Sequence, residues 1–220
     1  MSKRKIAVLA ALAALAAWTV TSRVPKSQNR VLANAFPAGL LVSPSSCTTP
    51  EWPREARRYE VDGITVVHFQ IDTQGRTEDA KVVKSSSWKL LDDAALRSLL
   101  KCQFKPALDE AGSNTYPIQF VWTLSGPAMI RPALVPGSCE ASSQFAGFES
   151  FNRAPTDPTG VLVRFLVDEA GNAVGIKTEG EGGPAAAAAA FIRSCKFAVD
   201  PTLPGDKTDT VFGRVLVKTR

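Results

Sequence analysis

Histidine is nearly missing from this 220-residue chain: His68 is the single one, beside two methionines and two tyrosines. A nucleophile activated by an imidazole would have to be built on that residue. Neither the Ser85-Ser86-Ser87 run nor any cysteine stands in such a motif with it. Metal ligands are equally short, because the four cysteines form no CxxC pair and no Cys/His cluster at zinc spacing. Gly180-Glu181-Gly182-Gly183 precedes a helical stretch, but without GxGxxG or a Walker lysine it is read as a turn rather than a phosphate loop. The chain is therefore read as a non-enzyme with no catalytic residues, no metal and no cofactor.

Acidic residues are absent before Glu51, while Lys3, Arg4, Lys5, Arg23, Lys26 and Arg30 are all basic. The formal charge of +5 is thus concentrated in the leader: of 26 basic residues, 20 remain beyond it against 21 acidic ones. That balance removes the electrostatic footing for nucleic acid. A basic start, residues 1–5, followed by the apolar run 6–20 is an export signature. Fifteen residues at ~1.5 Å rise span about 22 Å, short of the ~30 Å hydrocarbon core, which favours a cleavable signal peptide. Three basic residues separate that run from the best small-x-small site, Ala33-Asn34-Ala35, which favours an uncleaved anchor. Both alternatives place the body of the chain outside the cytoplasm, and the second also tethers it to the membrane. Residues 21–46 carry no sustained periodicity and read as a linker that reaches roughly 90 Å when fully extended.

What the chain has is a stretch, residues 62–107, with the pattern of a hairpin followed by a helix. Thr65, Val67, Phe69 and Ile71 alternate with Val66, His68 and Gln70, as on a strand with one buried face. Asp72-Thr73-Gln74-Gly75 supplies a turn, and a second strand is expected at 80–84. Leu91, Ala94, Ala95, Leu99 and Leu100 then recur at helical spacing. A short helix is expected before it, opened by Thr49, Pro50 and Glu51, and a third strand after it, over 116–124. The pattern returns at an offset of 96: residues 161–167 alternate, Asp168-Glu169-Ala170-Gly171 turns, 173–178 forms the partner strand, and an alanine-rich helix runs from Pro184 into Cys195 and Phe197. Residues 212–218 supply the last strand. The span 140–152 matches the opening helix only vaguely. Cys47 and Cys102 are 55 positions apart, and Cys139 and Cys195 are 56 apart. In an exported chain this spacing predicts two disulfides, one per repeat, each worth roughly 4 kcal/mol of chain entropy.

The spaced residues Trp52-Pro53 with Ala56, Gly63, Asp72 with Gly75, Ser85-Ser86, Leu91-Asp92 with Ala94-Ala95, and Phe104-Lys105-Pro106-Ala107 resemble the TonB C-terminal domain family. The match runs over about 50–124, and residues 139–220 follow as a looser, diverged second copy. The resemblance implies an α+β fold of two tandem modules, each a three-stranded antiparallel sheet with helices on one face. It divides the chain into 1–22 (signal peptide or membrane anchor), 23–46 (linker), 47–125 (first domain), 126–138 (connector) and 139–220 (second domain). It also implies action with ExbB- and ExbD-like inner-membrane motor proteins on periplasmic segments of outer-membrane transporters. The last strand of such a domain recruits an extended segment at its edge. Carried over, the partner-binding residues are Ile118, Gln119, Phe120, Val121 and Trp122, and Arg214, Val215, Leu216 and Val217. The apolar run lacks the ionisable, histidine-bearing face of family transducers, and the linker lacks a proline-rich spacer. A periplasmic adaptor or scaffold with the same fold and no energy transduction is the alternative. His68, the Asp92/Asp93 pair and the tryptophans Trp52, Trp88 and Trp122 are read as structural, with the two aspartates complementing a helix dipole.

Overall fold

A computed structural model describes residues 39–47, 50–106, 115–124, 126–151, 160–180 and 182–218. The leader, its cleavage site and Thr49 lie outside them. The described chain is mixed α/β with antiparallel sheets. Strand β1 (Gly63–Ile71) pairs with β2 (Thr77–Lys84) on one side and β3 (Tyr116–Trp122) on the other. Its alternation is as expected: Thr65, Val67, Phe69 and Ile71 are buried, and Val66, His68 and Gln70 are half-buried on the opposite face. Helix α2 (Lys89–Leu99) buries Leu91, Ala94, Ala95 and Leu99 against that sheet, whereas Leu100, counted on the same stripe, caps the helix and is 60% exposed.

The opening helix, α1 (Arg54–Arg58), starts later than expected because Pro53 restricts the residue before it and holds Trp52 out of the helical region. Trp52 instead drops its ring into the core beside Ala56. Two stretches read as connecting chain are structural. Leu41 bridges Phe104, and Lys105 donates its N–H to Leu40. In the later half β4 (Ala133–Leu134) pairs with β8 (Phe197–Ala198).

The second large sheet has the order β5-β9-β6-β7, from β5 (Phe145–Ser150), β9 (Thr210–Val217), β6 (Val161–Val167) and β7 (Ala173–Thr178). Its β7-β6-β9 portion repeats the order β2-β1-β3. Helix α3 (Gly183–Ser194) covers one face, where Ala188 and Ile192 meet Val163, Phe165, Val211 and Val215. The two turns match atom for atom. Asp72 Oδ1 accepts the N–H of Gln74 and Arg76, as Asp168 Oδ1 accepts those of Ala170 and Asn172. Gly75 and Gly171 have φ of 75° and 78°, and a Cβ there would stand 2.1 and 2.6 Å from the carbonyl oxygens of Phe104 and Phe197. Disulfides join Cys47 to Cys102 and Cys139 to Cys195.

The other face of the second sheet lies on the helical layer of the first. Leu162 and Phe212 belong to the same buried cluster as Trp52, Ala56 and Leu91, and Trp88 meets Phe212 edge to face at 5.8 Å. Arg164, 6% exposed, reaches across to Glu55 at 2.7 Å, pairs with Glu179, and lies over the rings of Tyr59 and Trp88. Arg131 pairs with Glu60 and covers Phe212, and Arg58 forms a bidentate pair with Asp209.

The Arg58 hydrogen bonds hold the Asp209 carboxyl below its usual value. A depressed carboxylate stabilises the fold above its unfolded value, about 3.9, and loses that contribution as the pH falls through the folded value. Urea titrations at stepped pH should show stability falling below about pH 4, and Asp209→Asn should flatten that slope.

Candidate functional site

Because the sheets are open, their edges are where an extended chain can be accepted. Among the described residues four strands stand at an edge of the two larger sheets: β2, β3, β5 and β7. Three of them are irregular. Strand β2 slips register twice against β1 and carries Asp79 at a φ of 50°, β7 slips once and holds Gly175 at 59°, and β5 slips between Phe145 and Gly147. Bulges twist an edge and interrupt the row of donors and acceptors it offers. Strand β3 has none: seven consecutive pairs run from Gly63↔Trp122 to Phe69↔Tyr116.

The sequence makes β3 rigid from one side only. Ile118, Phe120 and Trp122 are 1%, 3% and 1% exposed, and Trp122 meets Trp52 edge to face at 5.9 Å. Gln119 and Val121 are half-buried on the outer face, opposite Val66 and Ile64. The carried-over residues therefore divide by place: Ile118, Phe120 and Trp122 anchor the strand in the core, while Gln119 and Val121 lie on its outer face.

Behind β3, β1 and α2 are tied by one carboxylate. Asp92 is 8% exposed and accepts from Thr65 Oγ1 at 2.7 Å, Ser85 Oγ at 2.5 Å and the Ser86 N–H at 2.9 Å. The expected dipole role thus belongs to a hub that joins the strand, the serine run and the helix; its neighbour Asp93 forms an exposed i,i+4 pair with Lys89. Gly63 keeps the join close, since a Cβ there would stand 2.9 Å from Ser86 Cβ and O. His68 faces outward opposite Pro117 and Lys81.

Arg214, Val215, Leu216 and Val217 come out differently from the expected open edge. They lie in β9, where Arg214 and Val215 pair with β6 on one side and β5 on the other while Leu216 and Val217 pair with β5, so the side of β9 that β5 covers offers an incoming strand no edge. The reason is the span 140–152. Where a helix counterpart was sought, residues 145–150 form β5 and pair along β9. The signal was present in Phe145-Ala146-Gly147-Phe148: two aromatics separated by a small residue and a glycine, the composition of a bulged strand.

Residues 48–124 match the family model of the Gram-negative bacterial TonB protein C-terminal. This segment belongs to the TonB C-terminal domain family. No curated protein and no solved structure matches the chain. The TonB domain is a periplasmic protein-interaction domain, and its match ends at Leu124, just beyond β3. Among the described residues no helix is long and apolar enough to cross a membrane, and no three His, Cys, Asp or Glu side chains gather as a metal site requires.

Removing the hub should be costly. Asp92→Ala leaves buried donors without their acceptor and is expected to lower unfolding free energy by about 2–4 kcal/mol in urea titration, with Asp92→Asn losing less.

Proposed function

We propose that this is a TonB-like periplasmic protein that takes up an extended segment of an envelope partner by strand addition to β3. The observation that carries the reading is the unbroken register of β3 against β1, with Pro117 the one residue of the strand that lacks a donor, in a molecule whose other large-sheet edges among the described residues are bulged. An added strand would satisfy the outward N–H and C=O groups of β3 and lay its side chains beside Gln119 and Val121. Ile64 is 38% exposed next to Val121, so an apolar residue on the incoming chain would bury area there.

The C-terminal half supports a role as a diverged second copy of the domain. The repeated strand order, the matching turns and the equally spaced disulfides all favour duplication. In this reading the second copy is a cap on the helices of the first, through Trp88, Arg164 and Phe212. The partners proposed are periplasmic segments of outer-membrane transporters or of other envelope proteins. Coupling to ExbB- and ExbD-like motors requires an N-terminus that stays in the inner membrane; a cleaved N-terminus makes the protein a free periplasmic adaptor.

Photo-crosslinking in cells separates these readings. A crosslinker replacing Gln119 or Val121 should capture a partner, whereas one replacing Leu216 should not. Capture that depends on the proton motive force, from a chain whose first residues are still attached, marks a transducer. Equal capture at Leu216, or none at β3, would refute the edge assignment.

A further inference from the structure

The last strands of the two halves occupy equivalent places, yet among the described residues only one is an edge. Val67 and Val163 each stand five residues before the turn aspartate, and their partners on the last strand are Ile118 and Gly213. Ile118 fills its place with a buried side chain, 1% exposed. Gly213 has none. A Cβ there would stand 2.2 Å from Glu149 O and 2.6 Å from the ring of Phe148.

Strand β5 uses that gap. Phe148 contacts Phe165 and Phe197 at ring distances of 5.6 and 5.8 Å, and Phe145 contacts Phe191 at 5.5 Å. Residues three apart on a regular strand point to opposite faces. The register shift between Phe145 and Gly147 adds one residue, so both aromatics enter the same buried cluster. The remainder of β5 is thinly held: Ala146, Glu149 and Ser150 are exposed. Two rings and a backbone ladder bind it, which is how an extended peptide binds a sheet edge.

We propose that β5 is a ligand strand bound in cis: the outer edge of β9 is a second strand-acceptor site, specific for an extended segment with two aromatics flanking a small bulge, and Gly213 is the residue that admits it. The site is filled by the chain's own residues 145–150, so β3 is left as the open acceptor. Glycine at 213 and isoleucine at 118 set this difference between the halves. The claim about β9 does not depend on what binds β3.

The test supplies β5 in trans. A fluorescein-labelled synthetic peptide of residues 142–151, SSQFAGFESF, is titrated by anisotropy against three full-length proteins: wild type, Phe145→Ala/Phe148→Ala, and that double variant with Gly213→Val added. The double variant, whose own β5 has lost both anchors, should bind the peptide at least about tenfold more tightly than wild type, and adding Gly213→Val should abolish the gain. Equal binding to all three, or no binding to a folded double variant, overturns the proposal. β3 is unchanged throughout, so failure here leaves the β3 reading standing, and failure of β3 crosslinking leaves this one standing. Should circular dichroism show the double variant unfolded, hydrogen exchange of Gly213→Ala decides: amides in 145–150 should exchange at least about tenfold faster than in wild type while 161–167 stay protected, and unchanged exchange in 145–150 overturns the proposal.

Discussion

A three-stranded antiparallel sheet leaves two rows of backbone donors and acceptors facing outward, and how each row is satisfied or blunted governs much of this molecule. The first sheet blunts β2 with two register shifts and leaves β3 straight. The second sheet blunts β7 and closes β9 with an extra strand. Among the described residues one architecture thus yields an open edge in one half and a closed edge in the other, and the residue proposed to decide it is as small as Gly213.

Stability comes from stacking these sheets on a shared helical layer. Trp88 and Phe212, from different halves, lie in one buried cluster, so the first sheet's helices are covered on the side away from their own sheet. Burying Arg164 there would be costly alone; Glu55, Glu179 and two aromatic faces offset it. Exposed pairs such as Arg58–Asp209, which spans the two halves, add little energy, about 0.2–1 kcal/mol each. With its helices covered and its inner face packed, the first sheet is left, among the described residues, with its outer face and the edge of β3 uncovered.

Much of this was legible where one physical rule dominates. Period-two alternation located β1, β3 and β6 to within a few residues, the internal repeat located β9, and the Asp-x-x-Gly turns and cysteine spacing located the hairpins and both disulfides. The misses share a cause. Strand β5 was hidden because its bulge breaks the alternation that identifies a strand. The second buried face of β6 was hidden because Arg164 reads as a solvent-facing residue until Glu55, far away in sequence, is placed beside it. Asp92 looked like a dipole partner because nothing local announces that Thr65, on another element, will donate to it. Pairing across the fold, rather than pattern along the chain, made each of these.

Among the described residues β3 is open while β9 is closed between β5 and β6. Residue-resolved amide exchange measures this directly. Gly213, Arg214 and Val215, paired on both sides, should all be protected, whereas along β3 protected amides should alternate with rapidly exchanging ones, since among the described residues only one side of that strand has a partner. Uniform protection along β3, or rapid exchange at Gly213, Arg214 and Val215, would contradict it.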